Sequence, residues 1–227
     1  EVLLTEDFQL DVEGILSAVD EHTKLLFICS PNNPTGNNLN RIDIETLLNN
    51  FPGIVVIDEA YINFSRQKPF IQELTEYENL IVMQTLSKAW GLAALRLGLG
   101  FTSEKIIDLF NKVKPPYNIN LASQQLGLKA LLKVDEVNTN IRNIVQQRTE
   151  VLEQLEQFDF IKKIYPSDSN FILIKADNAD KLYRYLLTYK IIVRKRSKEP
   201  LCENCIRITV GTETENITLI NALKNYE

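Results

Sequence analysis

Three apolar runs in the first half of the sequence each end in a cluster of polar side chains. Leu25-Leu26-Phe27-Ile28-Cys29 leads into SPNNPTGN, which carries Asn33. The run GIVVI leads into Asp58, Glu59 and Tyr61. LIVMQ leads into Thr85, Ser87 and Lys88, and Arg96 follows eight residues after the lysine. A lysine at the end of an apolar strand is poorly placed for a charge. It is well placed for an amine that must turn neutral and attack a carbonyl.

Taken singly, each cluster has a plain explanation. Asn-Pro and Thr-Gly are turn formers, so NNPTG alone reads as a loop. VVIDEAY resembles the magnesium-binding strand of nucleotide hydrolases and the DEAH-type motif of helicases. That class requires a G-x-x-x-x-G-K-[ST] phosphate loop, and the sequence contains none. An isolated Ser-Lys is usually surface, and an arginine eight residues on could be its ion-pair neighbour. The combination is what discriminates. Pyridoxal phosphate needs a lysine for its aldehyde and an acid facing its pyridine nitrogen. It also needs donors for its 3′ oxygen and a cationic pocket for its phosphate.

The elements that must position these groups follow from the pattern. Val12, Ile15, Leu16 and Val19 keep helical spacing behind Asp11, a predicted N-cap, and Ile42 to Leu48 reads as a second helix. Continuously apolar strands with helices between them predict a parallel, doubly wound α/β sheet covered on both faces, with RLGLGFT as a further strand. In such a sheet, ligands bind outside the carboxyl ends of the strands, where the three clusters would converge. KPPYNIN breaks the pattern near residue 117. Beyond it, Leu121 to Leu132 and Val137 to Phe158 read as helices. NFILIK, ADKLYRYLLTY, KIIVR, CIRITV and ENITLINALKNY then read as strand, helix, strand, strand and helix. The expected organisation is a large α/β domain over 1–117 and a smaller α+β domain over 118–227.

The 227 residues are 44% hydrophobic and 24% charged, an ordinary globular balance, and the net charge of −5 argues against nucleic acid as a partner. No apolar run reaches the roughly 18 residues of a membrane span, and EVLLTEDFQLD lacks the features of a signal peptide, so a cytoplasmic location is expected. Cys202 and Cys205 have C-x-x-C spacing, but no second pair exists and His22 is the only histidine. A closed zinc site needs four ligands, so a reduced-thiol loop is expected and no metal.

SPNNPTG, VVIDEAY, TLSKAWGLAALRLG and CIRITVGT, in this order, resemble the fold-type-I pyridoxal-phosphate aminotransferases, most closely the histidinol-phosphate aminotransferases. The resemblance implies roles residue by residue. Lys88 matches the Schiff-base lysine, which also carries the proton between substrate and cofactor. Asp58 matches the acid beneath the pyridine nitrogen, and Asn33 and Tyr61 match the pair that bonds the 3′ oxygen. Ser87 and Arg96 match phosphate ligands, with Thr85 beside them. Arg207 matches the substrate's anion anchor, for its phosphate or for the carboxylate of glutamate. Arg194 matches a second phosphate-binding arginine, with Lys195 and Arg196 next to it, and Asn170 matches an asparagine near the substrate.

The implied reaction is reversible transamination between L-histidinol phosphate and 2-oxoglutarate, giving imidazole-acetol phosphate and L-glutamate, in a homodimer. An aromatic aminotransferase or a threonine-phosphate decarboxylase is the alternative within the class. The family pattern also includes an N-terminal arm, the first large-domain strands, a Gly-rich phosphate turn and an aromatic that stacks on the pyridine. None of these is found ahead of Glu1. On this reading the chain is an N-terminally truncated fragment that lacks some site residues, has two open sheet edges and has little or no activity of its own.

Overall fold

The computed structural model describes residues 1–226, built around two four-stranded sheets. The first holds β1 (Leu25–Cys29), β2 (Ile54–Asp58), β3 (Leu80–Thr85) and β4 (Gly98–Phe101), adjacent in that order. β1, β2 and β3 run parallel, and their register sets Cys29 beside Asp58 and Asp58 beside Met83 at the carboxyl ends. β4 runs antiparallel to β3. Its connection, residues 86–97, folds straight back, with Leu86 N–H donating to the Leu97 carbonyl at 3.2 Å. That is too short a path for the helical crossover a parallel neighbour would need.

Two helices cover one face of this sheet. α1 (Val12–Ser17) starts where Asp11 accepts the Gly14 N–H at 2.9 Å, as the sequence predicts, and α2 (Arg41–Asn50) starts on Asn40, which accepts the Ile42 N–H. Ile44, Leu47 and Leu48 of α2 pack on Val55, Ile57, Leu80 and Val82, all buried. The expectation of helices between every pair of strands fails between β2 and β3, where residues 59–79 form only short 3₁₀ turns. Pro69 and the scattered polar residues of that segment leave no apolar face for a helix to bury. On the opposite face Val56 and Ile81 are buried, but Phe27 on the outer strand is 66% exposed. Coverage of this face is therefore partial.

α3 (Glu104–Val113) and α4 (Leu121–Leu131) lead to the long helix α5 (Val134–Leu155), after which comes the second sheet. It consists of β5 (Ile161–Ile164), β6 (Phe171–Ala176), β8 (Cys205–Thr209) and β7 (Arg194–Lys195), in that spatial order and antiparallel throughout. α6 (Ala179–Thr188) and α7 (Glu213–Lys224) join α5 over Ile172, Ile174, Ile206 and Ile208, so the alternation in CIRITV points its isoleucines into a core. β5 was not legible as a strand, because Lys162 and Lys163 interrupt its apolar residues. KIIVR forms a strand only at Arg194–Lys195, since Lys190 (φ 59°) turns the chain just ahead of it. Among the described residues no helix is long and apolar enough to cross a membrane.

A seam joins the two halves. The buried Arg148 of α5 donates to the carbonyl oxygens of Ser169, at 2.6 Å, and Phe64, at 3.3 Å. Asp168 N–H donates to the Gly36 carbonyl at 2.7 Å, and its carboxylate accepts the Asn38 N–H at 2.9 Å. Gly36 takes φ +89°, and a Cβ there would sit 3.1 Å from Ser167 Oγ, so the tight turn in NNPTG requires glycine. Replacing Arg148 by alanine removes a charged donor from two buried carbonyls. The expected loss is about 3 kcal/mol of unfolding free energy, read from urea denaturation.

Candidate active site

The three strand-end clusters meet at the seam, and side chains of the second sheet complete them. Tyr61 is 6% exposed and lies just past β2, where the Asp58 carboxylate accepts the Ala60 N–H at 2.9 Å and holds the turn. Lys88 Nζ stands 5.3 Å from the centre of the Tyr61 ring. The edge of that ring meets Phe171 of β6 at 5.2 Å between centroids. The Arg207 guanidinium of β8 lies 4.7 Å above Phe171 and donates to Asn33 Oδ1 at 2.6 Å. Lys88, Tyr61, Phe171, Arg207 and Asn33 thus form one continuous line of contacts, assembled from both sheets. A cleft of about 800 Å³ opens beside it, lined by Lys88, Trp90, Gly91, α5 and residues 210–215.

Lys88 differs from its expected setting. It is exposed, three residues beyond β3 on the return loop, with the Tyr61 face on one side. That loop is closed by short bonds. Thr85 Oγ1 accepts the Ser87 N–H at 3.1 Å and donates to the Leu97 carbonyl at 3.2 Å, and Gly91 N–H returns to the Lys88 carbonyl at 3.0 Å. Arg96 takes a left-handed backbone (φ 53°), with its guanidinium donating to the Ala93 carbonyl at 3.3 Å and its side chain exposed. Thr85, Ser87, Lys88 and Arg96 are therefore carried on one small loop.

Arg194 lies opposite Arg207 in the β7–β8 ladder. Period-two alternation puts Arg196 on the same face, with its N–H donating to the Cys205 carbonyl at 2.9 Å. Burial first, and then the positive charge of Arg196, hold the Arg207 guanidinium below its ordinary pKa; Arg194 adds to this and Tyr61 opposes it. Nε of Arg207 and Nε of Arg196 are both buried without a hydrogen-bond acceptor. Glu199 lies 3.6 Å from Arg196 and is its ion-pair neighbour. Three guanidiniums on one strand face, two of them with buried Nε donors that lack an acceptor, make a setting that favours an anionic ligand. Asn170 enters through its backbone, its carbonyl accepting the Val210 N–H at 2.9 Å.

Three neighbours escaped the sequence reading. Phe171 is the spacer between Tyr61 and Arg207, but inside an apolar strand an aromatic reads as core. Arg196 was visible only as a companion of Arg194, and the two-residue period was its available signal. Cys29 sits next to Asp58, and its thiol is pushed up to about 11, by burial first and the Asp58 charge second.

Fold and site together define an α/β protein whose strand ends present a lysine, a carboxylate, an amide and a phenol beside a cluster of arginines. The chain belongs to the aminotransferase class I and II family, whose model matches residues 1–223. It is 50% identical over 224 residues to the histidinol-phosphate aminotransferase of Flavobacterium johnsoniae, covering 99% of this chain and 64% of that protein. The histidinol-phosphate aminotransferase from Clostridium acetobutylicum superposes with a TM-score of 0.89 at 28% identity, over 97% of this chain and 69% of that one. The enzyme of that name from Sinorhizobium meliloti, in complex with pyridoxal-5′-phosphate, does so with a TM-score of 0.86 at 25% identity, over 98% and 62%. The chain thus spans about 64% of the length of its F. johnsoniae relative.

The Cys29–Asp58 pairing provides a chemical readout of the site. A carboxylate beside a thiol disfavours the thiolate, so Asp58→Asn should lower the Cys29 pKa from about 11 while leaving the burial effect in place. Iodoacetamide should then alkylate Cys29 faster at pH 9 than in the unsubstituted chain, by up to about tenfold for each unit of change. Peptide mass mapping would assign the adduct.

Proposed function

We propose that this chain carries the cofactor and substrate-anion machinery of a pyridoxal-phosphate-dependent aminotransferase. The reaction would exchange an amino group between L-histidinol phosphate and 2-oxoglutarate, giving imidazole-acetol phosphate and L-glutamate in histidine biosynthesis. The observation that carries the reading is the line from Lys88 through Tyr61 and Phe171 to Arg207 and Asn33, beside two further arginines. Half-identity to a relative of that name supports it.

The residues fit the cofactor. Asp58 would face its ring nitrogen, Asn33 and Tyr61 its 3′ oxygen, and Thr85, Ser87 and Arg96 its phosphate. When bound, pyridoxal phosphate supplies an electron-accepting ring that stabilises negative charge at the substrate's α carbon. Lys88 would carry the proton between that α carbon and the cofactor, with the Tyr61 ring keeping its amine in place. Asp58, a charge fixed in advance, would keep a proton on the atom it faces. Arg207 would grip a substrate carboxylate or phosphate, with Arg194 and Arg196 alongside and Asn170 near the substrate. The resulting ion pairs and bidentate bonds orient the α carbon towards Lys88.

In this reading residues 1–117 are the C-terminal part of the large cofactor-binding domain, and 118–227 form the smaller domain with its connecting helices. The protein would be a cytoplasmic homodimer. Exposed apolar side chains on α3 and α4, among them Val113 at 76%, Leu121 at 67% and Leu128 at 67%, support a subunit interface there.

The test uses the protein as its gene encodes it, with histidinol phosphate, threonine phosphate and phenylalanine as competing substrates. Transamination of histidinol phosphate should dominate, and Lys88→Ala should lower turnover at least about 10³-fold. Preference for either competitor, or retained turnover without Lys88, would refute the reading. Arg196→Gln should raise KM for histidinol phosphate about tenfold, the loss of roughly one charge-assisted hydrogen bond, with kcat little changed.

A further inference from the structure

The substrate hairpin carries a feature that the aminotransferase chemistry does not use. Between β7 and β8 the chain makes three successive tight turns. Glu199 N–H donates to the Arg196 carbonyl at 2.9 Å, Cys202 N–H to Glu199 at 3.1 Å and Cys205 N–H to Cys202 at 3.0 Å. Leu201 and Asn204 adopt left-handed backbones, φ 62° and 58°, which make the last two turns possible. The ends of such a hydrogen-bonded turn lie within about 7 Å, the range of Cα separations that a disulfide spans. Both cysteines point inward, 1% and 0% exposed, against Phe8, Tyr165 and Leu173. We propose that Cys202 and Cys205 are a redox-active dithiol, oxidised by a peroxide to a disulfide across the turn into β8 and restored by a thiol reductant.

The surroundings favour this over two inert core thiols. The neighbouring Cys202 thiol draws the Cys205 thiol below its ordinary pKa, and Tyr165 and the Lys175 charge assist against burial; the Cys202 thiol moves up in return. Cys205 is thereby the better thiolate former of the two, the order expected of an attacking and a resolving thiol. When Cys205 is protonated, the Glu203 carbonyl is available to it at 3.7 Å. Burial shuts out bulky disulfides. A cavity of about 160 Å³ between Phe8, Asn32, Pro34 and Thr35 reaches Cys202, and one water needs only about 10–15 Å³ of this measure, so a peroxide would approach the dithiol from the Cys202 end of the turn.

The steps balance. The Cys205 sulfur attacks one peroxide oxygen, the O–O bond breaks, and the departing hydroxide takes up the thiol proton as water. Cys205 is left as a sulfenic acid. The Cys202 sulfur then attacks it, the S–S bond forms, and the sulfenic oxygen leaves as a second water with the Cys202 proton. Two sulfurs lose two electrons and the peroxide gains them.

The experiment needs no transaminase activity, so it stands or falls apart from the proposed reaction. The chain is exposed to hydrogen peroxide, quenched in acid, unfolded and treated with iodoacetamide. Cleavage after Lys198 and Arg207 releases both cysteines in one peptide, Glu199–Arg207. The expected product is that peptide without alkyl groups and lighter by two hydrogens, taking up two alkyl groups once reduced by dithiothreitol, before Cys29 is oxidised. Cys202→Ser should stop at the sulfenic acid, trapped on Cys205 by dimedone. A doubly alkylated peptide after peroxide has oxidised Cys29, or no dimedone adduct in Cys202→Ser, would overturn the proposal.

Discussion

The contact between Tyr61 and Phe171 is the point on which the site depends. The two rings come from different halves of the chain, Tyr61 from the turn after β2 and Phe171 from β6, and each carries a cation on a face, Lys88 above Tyr61 and Arg207 above Phe171. An edge-to-face aromatic pair adds about 0.5–1.5 kcal/mol beyond the area it buries, and each cation over a ring about 0.5–2 more. These are modest energies. Their value is geometric, because buried rings have few alternative positions and so set the distance between the amine and the guanidinium. Arg148 and the Asp168–Gly36 bonds clamp the same seam from behind.

The arginines of β7 and β8 show the opposite principle. Gathering Arg194, Arg196 and Arg207 on one face, with two Nε donors buried and unpaired, costs the chain stability. The same hairpin closes through the Cys202–Cys205 turn, so the strand that presents Arg207 begins at a thiol outside the arginine cluster.

Much of this was legible in the linear sequence. Continuous apolar runs leading into Asn33, Asp58 and Lys88 marked the parallel strands, and the alternation in CIRITV told which side of β8 was core. Asp11 as a cap and the glycine in NNPTG were readable for local reasons, since capping and positive φ depend on neighbouring residues only. The reading failed where local pattern and tertiary demand diverged. The 59–79 segment formed no helix, β5 hid behind two lysines, and KIIVR lost most of its strand to a turn at Lys190.

By itself the sequence determined which groups stand at which strand ends, because side-chain type and strand periodicity are local properties. It determined membership of the aminotransferase family through four motifs in order. Only the tertiary structure decided that Phe171 spaces Tyr61 from Arg207, that Arg207 reaches Asn33 across 174 positions of chain, and that Arg196 lies close enough for its charge to act on Arg207. Those are contacts between elements remote in sequence. They depend on how two sheets pack, and no local pattern encodes that distance.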